Sequence, residues 1–577
     1  MRTPFKTCNQ TFFTAAFVGL CLQSVLATTI SVPGDYATIQ EAIDASVAGD
    51  TVVVADGFVC DSGSQAVTGR DAKNATIPAG NARLVITKGI TLTSASGTTN
   101  NPVLVVGRTH SDPATATAVT NIGPDAVRCL YVKTPEAERA VIRGFAFTGG
   151  NTCGSTRSAD GKSDATSYVA RGGGVWCDNC AAAPLLENCL LTNNFSYYFG
   201  GALSGPAVAS NCLFRANGIT YAASGGGGAA AYGSDICTSL ISGNNTAAAA
   251  GAVRGGSCTD CEIRDNTTTK NQTSGILGGI VWGARLTRCL VKNNSVSGGA
   301  KTTCTIYGGT LESCDLQNNI AGSGAQSYYG GTAYNCRFYG PASGGSPYIA
   351  NATLYGCVVS NLHMYAAGNT GNGVVKGCTA YNCLFYDLLT NKSSNQNQYT
   401  YGAQLVDSKL FNCTMVVLAS AYPIATKKVY YNAVYGCQLV NTVVVTPAGF
   451  GTTLANFSEE ACGTIVTTNS CLPAVYRDGE KLADSCRNIF VTDDEPRSAF
   501  GVRLEGDRIF QLAPNSPCRD AGWDGSSSDS DAFPYLKRSD DNPAYGFDFA
   551  GNRRVSGGAV DIGAFESRLL GLRLSVQ

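Results

Sequence analysis

Short segments with the same order of apolar and polar positions recur through the middle of the chain. Eleven of them, six residues each, begin at residues 189, 212, 239, 261, 289, 314, 336, 357, 383, 413 and 437. The first residue is Cys in ten of the eleven, and the third is always apolar, from Leu191 to Leu439. Because positions two apart lie on one face of a β-strand, each segment is predicted to be a strand with these two residues inward. The second and fourth residues, which include Glu262, Arg264 and Lys292, should point outward.

The repeat length decides between architectures. The eleven segments begin within a span of 248 residues, which is a mean period of 24.8. A βαβ unit needs about 30 residues or more, and the blades of a β-propeller, the rival architecture, need about 40. Glycine pairs between segments, such as 200–201 and 330–331, indicate further turns within each coil. The predicted fold is an all-β, right-handed parallel β-helix whose coils span 59–500 and are most regular over 170–445.

Asparagine occupies the sixth position of six consecutive segments. These residues are Asn194, Asn217, Asn244, Asn266, Asn294 and Asn319. A side-chain amide at this point can bond the coils above and below, and asparagine tolerates a left-handed backbone. The pattern predicts an asparagine ladder at one turn, with the left-handed conformation at these residues.

The N-terminal residues are typical of an export signal. Arg2 and Lys6 precede an apolar stretch, and a small-residue site ends at Ala27, so residues 1–27 are predicted to be a signal peptide. A lipoprotein alternative would need a small residue before Cys21, where Leu20 stands. No later segment has the roughly 18 apolar residues of a membrane span. The predicted location is extracellular or at the cell surface.

Residues 28–58 are predicted to form an N-terminal cap and the first strand. Thr38 and Glu41 have the spacing of a capping box at the start of a short helix. Ile39, Ala42 and Ile43 would give that helix an apolar stripe that covers the open end of the coils.

Several stretches resemble known β-helix proteins. Residues 30–57 and 141–151 are similar to the N-terminal cap and a coil of the pectate-lyase-like superfamily, which implies its right-handed parallel β-helix. The alternation of GGAL at 200–203 with FRAN at 214–217 is similar to the repeats of chlamydial polymorphic outer-membrane proteins. SPCRDAG, DFAGNRR and DIGAFE, which lie between 516 and 566, resemble the C-terminal segment of bacterial choice-of-anchor Q proteins. That resemblance implies that 501–577 close the helix.

The charge of the chain narrows the class of binding partner. The formal net charge is -1 and the chain has no block of basic residues, so the sequence does not indicate binding to nucleic acid or to an anionic membrane.

The chain has 25 cysteines, and export from the cell would favour disulfides between them. Stacked side chains about 4.8 Å apart are, however, farther apart than the Cβ atoms of a disulfide, at about 3.8 Å. Most periodic cysteines are therefore predicted to be buried thiols.

The CxxC pairs at 177–180 and 258–261 are candidates for a zinc site. A tetrahedral site needs four ligands, and no second pair lies nearby in the sequence. His110 and His363 are the two histidines of the chain. A local disulfide or core packing is favoured, and no metal site is predicted.

The catalytic signatures of β-helix hydrolases are missing from the coils. Polygalacturonase-like enzymes use clustered aspartates with a histidine, but the aspartate pairs 493–494 and 540–541 lie outside the regular segments. His363 has no acidic neighbour closer in sequence than Asp387. A Ser-His-Asp triad and the paired aspartates of pectin esterases have equally little support. A lyase needs only a base and a cation beside a uronate carboxylate, so it remains the enzymatic alternative.

One charged cluster is the candidate binding site. Asp260 is predicted to face Arg288 as a surface ion pair. Arg264 and Lys292 should share one outward column on adjacent coils, where like charges repel unless an anion lies between them. Glu262 is expected to reach only part of that field. The cluster therefore predicts a weak site for a carboxylate or sulfate of an acidic glycan.

Aromatic residues and aspartates give two further candidates. Tyrosine pairs that could stack on sugar rings, or cover loop edges instead, are Tyr197, Tyr198, Tyr328 and Tyr329. The aspartate-rich stretch 524–531 is either a calcium loop or a solvated loop. A calcium site in the coils is disfavoured because Leu290 separates Glu262 from Asp315 in their column.

The favoured functional prediction is a non-catalytic, secreted or cell-surface β-helix for adhesion, glycan binding or envelope structure. Low charge, the repeat and the missing catalytic signatures favour it. The alternative is a polysaccharide lyase acting on an acidic, uronate-containing polysaccharide, which the superfamily resemblance implies. No cofactor is required by either prediction, and the sequence does not indicate an oligomeric state.

Overall fold

The computed structural model describes most of residues 27–445 and short segments beyond them. The described ranges are 27–70, 76–109, 125–135, 137–152, 170–219, 226–246, 251–268, 279–296, 304–321, 326–340, 349–366, 374–392, 402–416, 431–445, 466–468, 470–473, 476–477, 480–481, 489–491, 516, 518–519, 521–522 and 561. The predicted signal peptide, the 524–531 stretch, the 493–494 and 540–541 aspartate pairs, His110 and almost all of 501–577 lie outside them.

Three long parallel sheets run the length of the described coils. Each regular coil contributes one strand to each of these sheets, which are called C, A and B in chain order and whose strands are given below, and every strand hydrogen-bonds the equivalent strand of the next coil. The molecule is thus the predicted right-handed parallel β-helix.

The strands are short because each coil turns after a few residues. Sheet A has 16 strands: Thr29–Val32, Thr51–Val54, Thr91–Ser94, Val141–Arg143, Leu185–Glu187, Val208–Ser210, Asp235–Cys237, Ser257–Thr259, Arg285–Thr287, Thr310–Glu312, Thr332–Tyr334, Thr353–Tyr355, Thr379–Tyr381, Lys409–Phe411, Gln438–Val440 and Val466–Thr468. Sheet B has 16: Val59–Cys60, Val103–Val106, Phe145–Thr148, Leu190–Thr192, Leu213–Arg215, Leu240–Ser242, Glu262–Arg264, Leu290–Lys292, Asp315–Gln317, Arg337–Tyr339, Val358–Ala366, Leu384–Lys392, Thr414–Val416, Val443–Val445, Cys471–Pro473 and Ile489–Val491.

Sheet C has 14 strands: Gln65–Arg70, Thr76–Ile86, Val127–Val132, Val175–Cys177, Leu203–Ser204, Ala231–Tyr232, Val253–Arg254, Val281–Trp282, Cys304–Tyr307, Gln326–Tyr329, Ile349–Ala350, Val375–Lys376, Gly402–Val406 and Tyr431–Tyr435. A shorter sheet D follows sheet B in six coils: Phe195–Ser196, Gly218–Ile219, Asn245–Thr246, Thr267–Thr268, Ser295–Val296 and Ile320–Ala321. Two described pairs are antiparallel: the first two strands of sheet C, and Tyr476–Arg477 with Glu480–Lys481.

The inward positions of the recurring segments are as the repeat predicts. All ten cysteines that begin the recurring segments are buried, and so are the eleven apolar residues two positions later. They join one continuous core cluster that extends from Val32 to Val444. The 19 cysteines whose side chains the structure describes are free thiols, so the CxxC pairs contribute packing rather than a disulfide.

The asparagine ladder is confirmed. Its six members are at most 3% exposed, and each amide from Asn194 to Asn294 donates to the side-chain oxygen of the next member. The predicted left-handed conformation at these residues is wrong, because it belongs to the preceding position. Positive φ angles occur at Asn193, Ala216, Gly243, Asp265, Asn293 and Asn318. The left-handed residue makes the turn, and the asparagine after it points inward.

The eleventh recurring segment belongs to a different sheet. Cys437 precedes Gln438–Val440, which pairs with Lys409–Phe411 in sheet A, whereas the earlier segments form sheet B. The true continuation of sheet B is Val443–Val445. The misassignment arises because cysteines also occupy the corner before sheet A, as Cys378 does.

The N-terminal cap matches the prediction. A helix spans Ile39–Ala45, Thr38 and Glu41 form a reciprocal capping box, and Ile39, Ala42 and Ile43 are buried in the core cluster. In the described part of the chain no helix is long and apolar enough to cross a membrane.

Candidate functional site

The predicted ion pair lies at the corner between sheets A and B. Asp260 and Arg288 are the residues before two successive inward cysteines, and both have a left-handed backbone, with φ of 55° and 51°. Arg288 donates from Nε and Nη2 to the two carboxylate oxygens of Asp260, each at 2.7 Å. These hydrogen bonds hold the pKa of the Asp260 carboxyl below its ordinary value. The pair is confirmed, although the residues lie at a corner rather than on a strand.

Glu262 lies between the two cations of the candidate anion site. Arg264 and Lys292 are register partners on adjacent strands, as expected. Glu262 Oε1 is 3.1 Å from Arg264 Nε and 2.9 Å from Lys292 Nζ, and Asp265 lies 2.5 Å from Arg264 Nη1. The expectation that Glu262 reaches only part of this field is therefore wrong. Two carboxylates already neutralise the two cations, which leaves a surface ion-pair network instead of an open anion site.

The four candidate tyrosines have different environments. Tyr328 is fully buried and stacks on Phe338 with a centroid distance of 5.8 Å. Tyr198 is 6% exposed and meets Phe199 edge-on at 4.3 Å. Neither ring is accessible to a sugar, which corrects the expectation for both. Tyr197 and Tyr329 are half-buried.

Tyr329 belongs to an outward column of sheet C that the recurring segments do not reveal. The column, called here the aromatic–arginine column, occupies the last strand residue of five consecutive coils: Tyr232, Arg254, Trp282, Tyr307 and Tyr329. All five side chains are half-buried. The inward neighbours of this column, such as Val253 and Val281, are fully buried, so the column stands on a rigid sheet.

Cation–π contacts hold the arginine within the column. The Arg254 guanidinium lies 4.7 Å from the Trp282 ring and 5.3 Å from the Phe199 ring, and its Nη1 donates to the Gly226 carbonyl at 3.1 Å. Arg171 lies 4.9 Å from the same Phe199 ring. Partial burial lowers the pKa of the Arg254 guanidinium, yet an arginine stays protonated in a protein. The column therefore carries a fixed positive charge among aromatic rings.

The rings of the column are not stacked uniformly. Trp282 and Tyr307 have centroids 5.2 Å apart and planes inclined at 60°, whereas Tyr307 and Tyr329 are nearly parallel at 5.6 Å. The indole thus departs from the stack that the two phenols form. The outward edges of these rings, next to the oriented guanidinium of Arg254, are chemically suited to a sugar, through contacts with its C–H groups and hydrogen bonds to its hydroxyls.

The sequence contains a pattern that marks this column, but the pattern lies outside the recurring six-residue segments. Each member is followed by a glycine with positive φ: Gly233, Gly255, Gly283, Gly308 and Gly330. An apolar residue two positions before that glycine points inward, as Val253 and Val281 do. Aligning these apolar-x-Gly triplets would have placed the five outward residues in one column.

Metal binding finds no support in the residues that the structure describes. No group of three or more His, Cys, Asp or Glu side chains among them could hold a metal ion.

The sequence matches no protein-family model and no curated protein. Similar solved structures include an alginate lyase from Paenibacillus sp. str. FPU-7, with 13% identity, a TM-score of 0.23 and coverage of 65% of this chain and 98% of that chain. The polygalacturonase of Erwinia carotovora ssp. carotovora has 13% identity, a TM-score of 0.24 and coverage of 70% and 96%. A mutant tailspike protein of E. coli bacteriophage HK620 in complex with a pentasaccharide has 13% identity, a TM-score of 0.29 and coverage of 82% and 75%. Because these identities and scores are low, the likeness assigns neither an activity nor a ligand to this chain.

Proposed function

We propose that this protein is an exported, non-catalytic β-helix that binds an extended glycan along the aromatic–arginine column. The observation that carries this proposal is the register of the column. Five consecutive coils place a half-buried aromatic or guanidinium group at the same outward position of sheet C. Strand spacing repeats this position every 4.8 Å or so along the helix axis. A polymer lying parallel to the axis would meet several of these groups at once.

The chemistry of the column suits a carbohydrate. Aromatic rings contact the apolar C–H faces of sugars, and a guanidinium donates hydrogen bonds in a fixed fork. Trp282 and Arg254 supply both types of contact on neighbouring coils, 4.7 Å apart. Because the sheet beneath is fully packed, little ordering of side chains is needed on binding.

Export is part of the proposal and rests on the sequence. Arg2, Lys6, the apolar stretch after them and the small-residue site at Ala27 have the order of a signal peptide. Detection of the mature N-terminus near residue 28 in a secreted or cell-surface fraction would test this step.

The non-catalytic role is supported by the charged cluster. A lyase needs a base next to a free cation, but Arg264 and Lys292 each pair with the Glu262 carboxylate, and Arg288 pairs with Asp260. These groups support an ion-pair network better than proton abstraction. The experiment must therefore distinguish binding alone from lyase activity on uronate polymers.

The test is a titration of the full mature chain with soluble glycans of a glycan array. Isothermal titration calorimetry measures binding, because a fluorescence signal from Trp282 would be lost in the variant, and absorbance of unsaturated uronate products measures lyase activity on the same samples. Trp282→Ala should weaken binding about tenfold or more, because an aromatic platform is removed. The matched control is Tyr339→Ala, which removes a 46% exposed ring from sheet B.

Two results would overturn the proposal. Equal binding by parent and Trp282→Ala would remove the column from the site. Accumulation of unsaturated uronate by the parent would make the protein a lyase. Circular dichroism of each variant must match the parent, and Trp282→Phe, which keeps a ring, should retain most of the affinity.

A further inference from the structure

A second regular surface lies on sheet A, and the recurring segments do not predict it. Three successive strands have the order Thr-x-Tyr, and they are Thr332–Tyr334, Thr353–Tyr355 and Thr379–Tyr381. Their middle residues, Ala333, Leu354 and Ala380, are buried. Threonine therefore pairs with threonine, and tyrosine with tyrosine, on the outer side of the sheet. These six outward residues are called here the Thr–Tyr face.

The tyrosine rings of this face form a tight stack. Ring centroids are 5.0 Å apart between Tyr334 and Tyr355 and 4.9 Å between Tyr355 and Tyr381, with planes within 11° of parallel. Phe411 on the next strand continues the stack at 5.1 Å. Both ring faces of Tyr355 and Tyr381 and one face of Tyr334 are covered by a neighbouring ring, so the surface presents mainly ring edges and hydroxyl groups.

Five hydroxyls of the face make no hydrogen bond to the described protein. They are those of Thr332, Thr353, Thr379, Tyr334 and Tyr355. They are not enclosed either, since the buried hydroxyls that lack a partner belong to other residues, such as Ser94 and Ser204. The face is thus a lattice of solvent-facing donors and acceptors at the regular spacing of the strands.

The face is uncharged, and charged residues mark its two ends. Glu312, one coil before Tyr334, is neutralised by Arg285 at 3.1 Å. Lys409, one coil after Thr379, is exposed at the other end. Between them the three strands carry no ionisable group except the tyrosines, and burial raises the pKa of Tyr381 to about 12. The charge of the face therefore complements a neutral ligand, whereas a polyanion would gain nothing there.

We propose that the Thr–Tyr face binds the surface of a neutral, insoluble polysaccharide with ordered chains. Such a surface repeats hydroxyl groups in register, as the face does, so several hydrogen bonds form together. The rigid stack orders the protein groups in advance, which reduces the entropic cost of binding. This proposal is independent of the aromatic–arginine column, which lies on a different sheet.

The test is sedimentation of the full mature chain with microcrystalline cellulose and, separately, with chitin. The parent should co-sediment with at least one of the two polymers. Thr353→Lys should weaken this binding about tenfold or more, since it removes the central hydroxyl and buries an unpaired charge against the solid. A second variant, Thr332→Ala combined with Thr379→Ala, should weaken binding without adding charge.

Thr192→Lys is the matched control, because Thr192 is also an outward, half-buried threonine in the middle of the molecule but lies on sheet B. It should bind as the parent does. Trp282→Ala should also bind normally, which separates a failure of this proposal from a failure of the glycan column. Thermal midpoints and circular dichroism of all variants must match the parent.

Three outcomes would overturn the assignment. One is a parent that sediments with neither polymer. Another is an equal loss in Thr192→Lys, which would indicate a general charge effect. The third is concentration-dependent dimerisation that Thr353→Lys abolishes, because the face would then bind a second copy of this chain.

Discussion

Asn266 donates a hydrogen bond from its side-chain nitrogen to the side-chain oxygen of Asn294, one coil further along, at 2.9 Å. The backbone N–H of Asn266 donates to the same oxygen at 3.0 Å, and a second side-chain bond reaches the Ile241 carbonyl, also at 3.0 Å. Asn266 Oδ1 accepts both equivalent bonds from Asn244. The amide of Asn266 is fully buried and satisfied, so each coil is tied to its neighbours at this turn.

Asn266→Ala should therefore destabilise the helix by about 1 to 3 kcal/mol, because the buried backbone N–H of Asn244 loses its acceptor and the side chains of Asn244 and Asn294 lose a partner. Asn266→Asp should cost more, since a carboxylate oxygen would face the Ile241 carbonyl and the Asn294 oxygen. Thermal unfolding midpoints measure both effects. The control is Asn245→Ala, at the exposed position that follows the ladder residue Asn244. If Asn245→Ala lowers the midpoint as much as Asn266→Ala, the ladder contributes nothing specific.

The asparagine ladder could be predicted because each coil uses the same residue at the same place. The left-handed residue before it could not be identified in this way, since Asn193, Ala216, Gly243 and Asp265 share a conformation but not a side chain. A left-handed turn is compatible with several residue types, so its identity varies along the chain.

The outward columns were harder to predict than the inward ones. Inward positions of the strands must fill a fixed volume, which favours small or apolar residues such as Cys261 and Ile263, with Ser239 in place of the cysteine in one coil. The outward positions of the aromatic–arginine column have no such restriction on residue type, and loops of different length separate its members in the sequence.

Glu262 shows what the sequence could not predict even where the column was known. Its column could be read from the alignment, but only side-chain conformations show that one carboxylate oxygen contacts both Arg264 and Lys292.

The inward cysteines satisfy backbone groups at the corner before sheet B. Cys314 Sγ accepts from the Cys289 backbone N–H at 3.4 Å and donates to the Glu312 carbonyl at 3.3 Å. Ser239 makes the same two contacts in an earlier coil, to Cys212 and Cys237. Serine is therefore a natural replacement at this position.

Cys314→Ser should change stability by less than about 1 kcal/mol, whereas Cys314→Ala should cost about 1 to 3 kcal/mol through the lost hydrogen bonds and a small cavity. Urea unfolding followed by circular dichroism compares the two variants with the parent. Equal midpoints for the serine and alanine variants would show that the sulfur acts only as an apolar group.

Thiol reactivity should separate the core from the surface. Burial raises the pKa of Cys129 and of Cys378 to about 12, and both thiols are inaccessible. Cys60 and Cys237 are half-buried. Brief treatment of the native protein with N-ethylmaleimide at mildly alkaline pH should therefore modify Cys60 and Cys237 but not the other described cysteines, as mapped by mass spectrometry. Labelling after unfolding in guanidinium is the control. Rapid modification of Cys378 in the native state would contradict its burial.

A cavity among the inward residues in the middle of the helix should strongly lower the stability of the protein. Ile263 is fully buried in the core cluster, whereas Thr192 is half-buried on the outer side of sheet B. Ile263→Ala should cost about 2 to 5 kcal/mol, because the neighbouring coils cannot collapse into the space. Thr192→Ala should be nearly silent. Equal thermal midpoints for the two variants would refute the assignment of the inward face.

The ion-pair network around Glu262 predicts a change in anion binding. Its Oε1 contacts Arg264 at 3.1 Å and Lys292 at 2.9 Å, so the parent should bind sulfated glycans weakly or not at all through these cations. Glu262→Gln removes the central charge while keeping the shape of the side chain, which leaves Lys292 without its carboxylate and Arg264 paired with Asp265 alone. The variant should gain affinity for a sulfated polysaccharide at low salt, and that gain should disappear at high salt as the charges are screened. Surface plasmon resonance at two salt concentrations measures it, with Glu312→Gln, which frees Arg285 on sheet A, as the matched control. Strong, salt-sensitive binding by the parent would show instead that Glu262 does not neutralise the pair, and would restore the anion site predicted from the sequence.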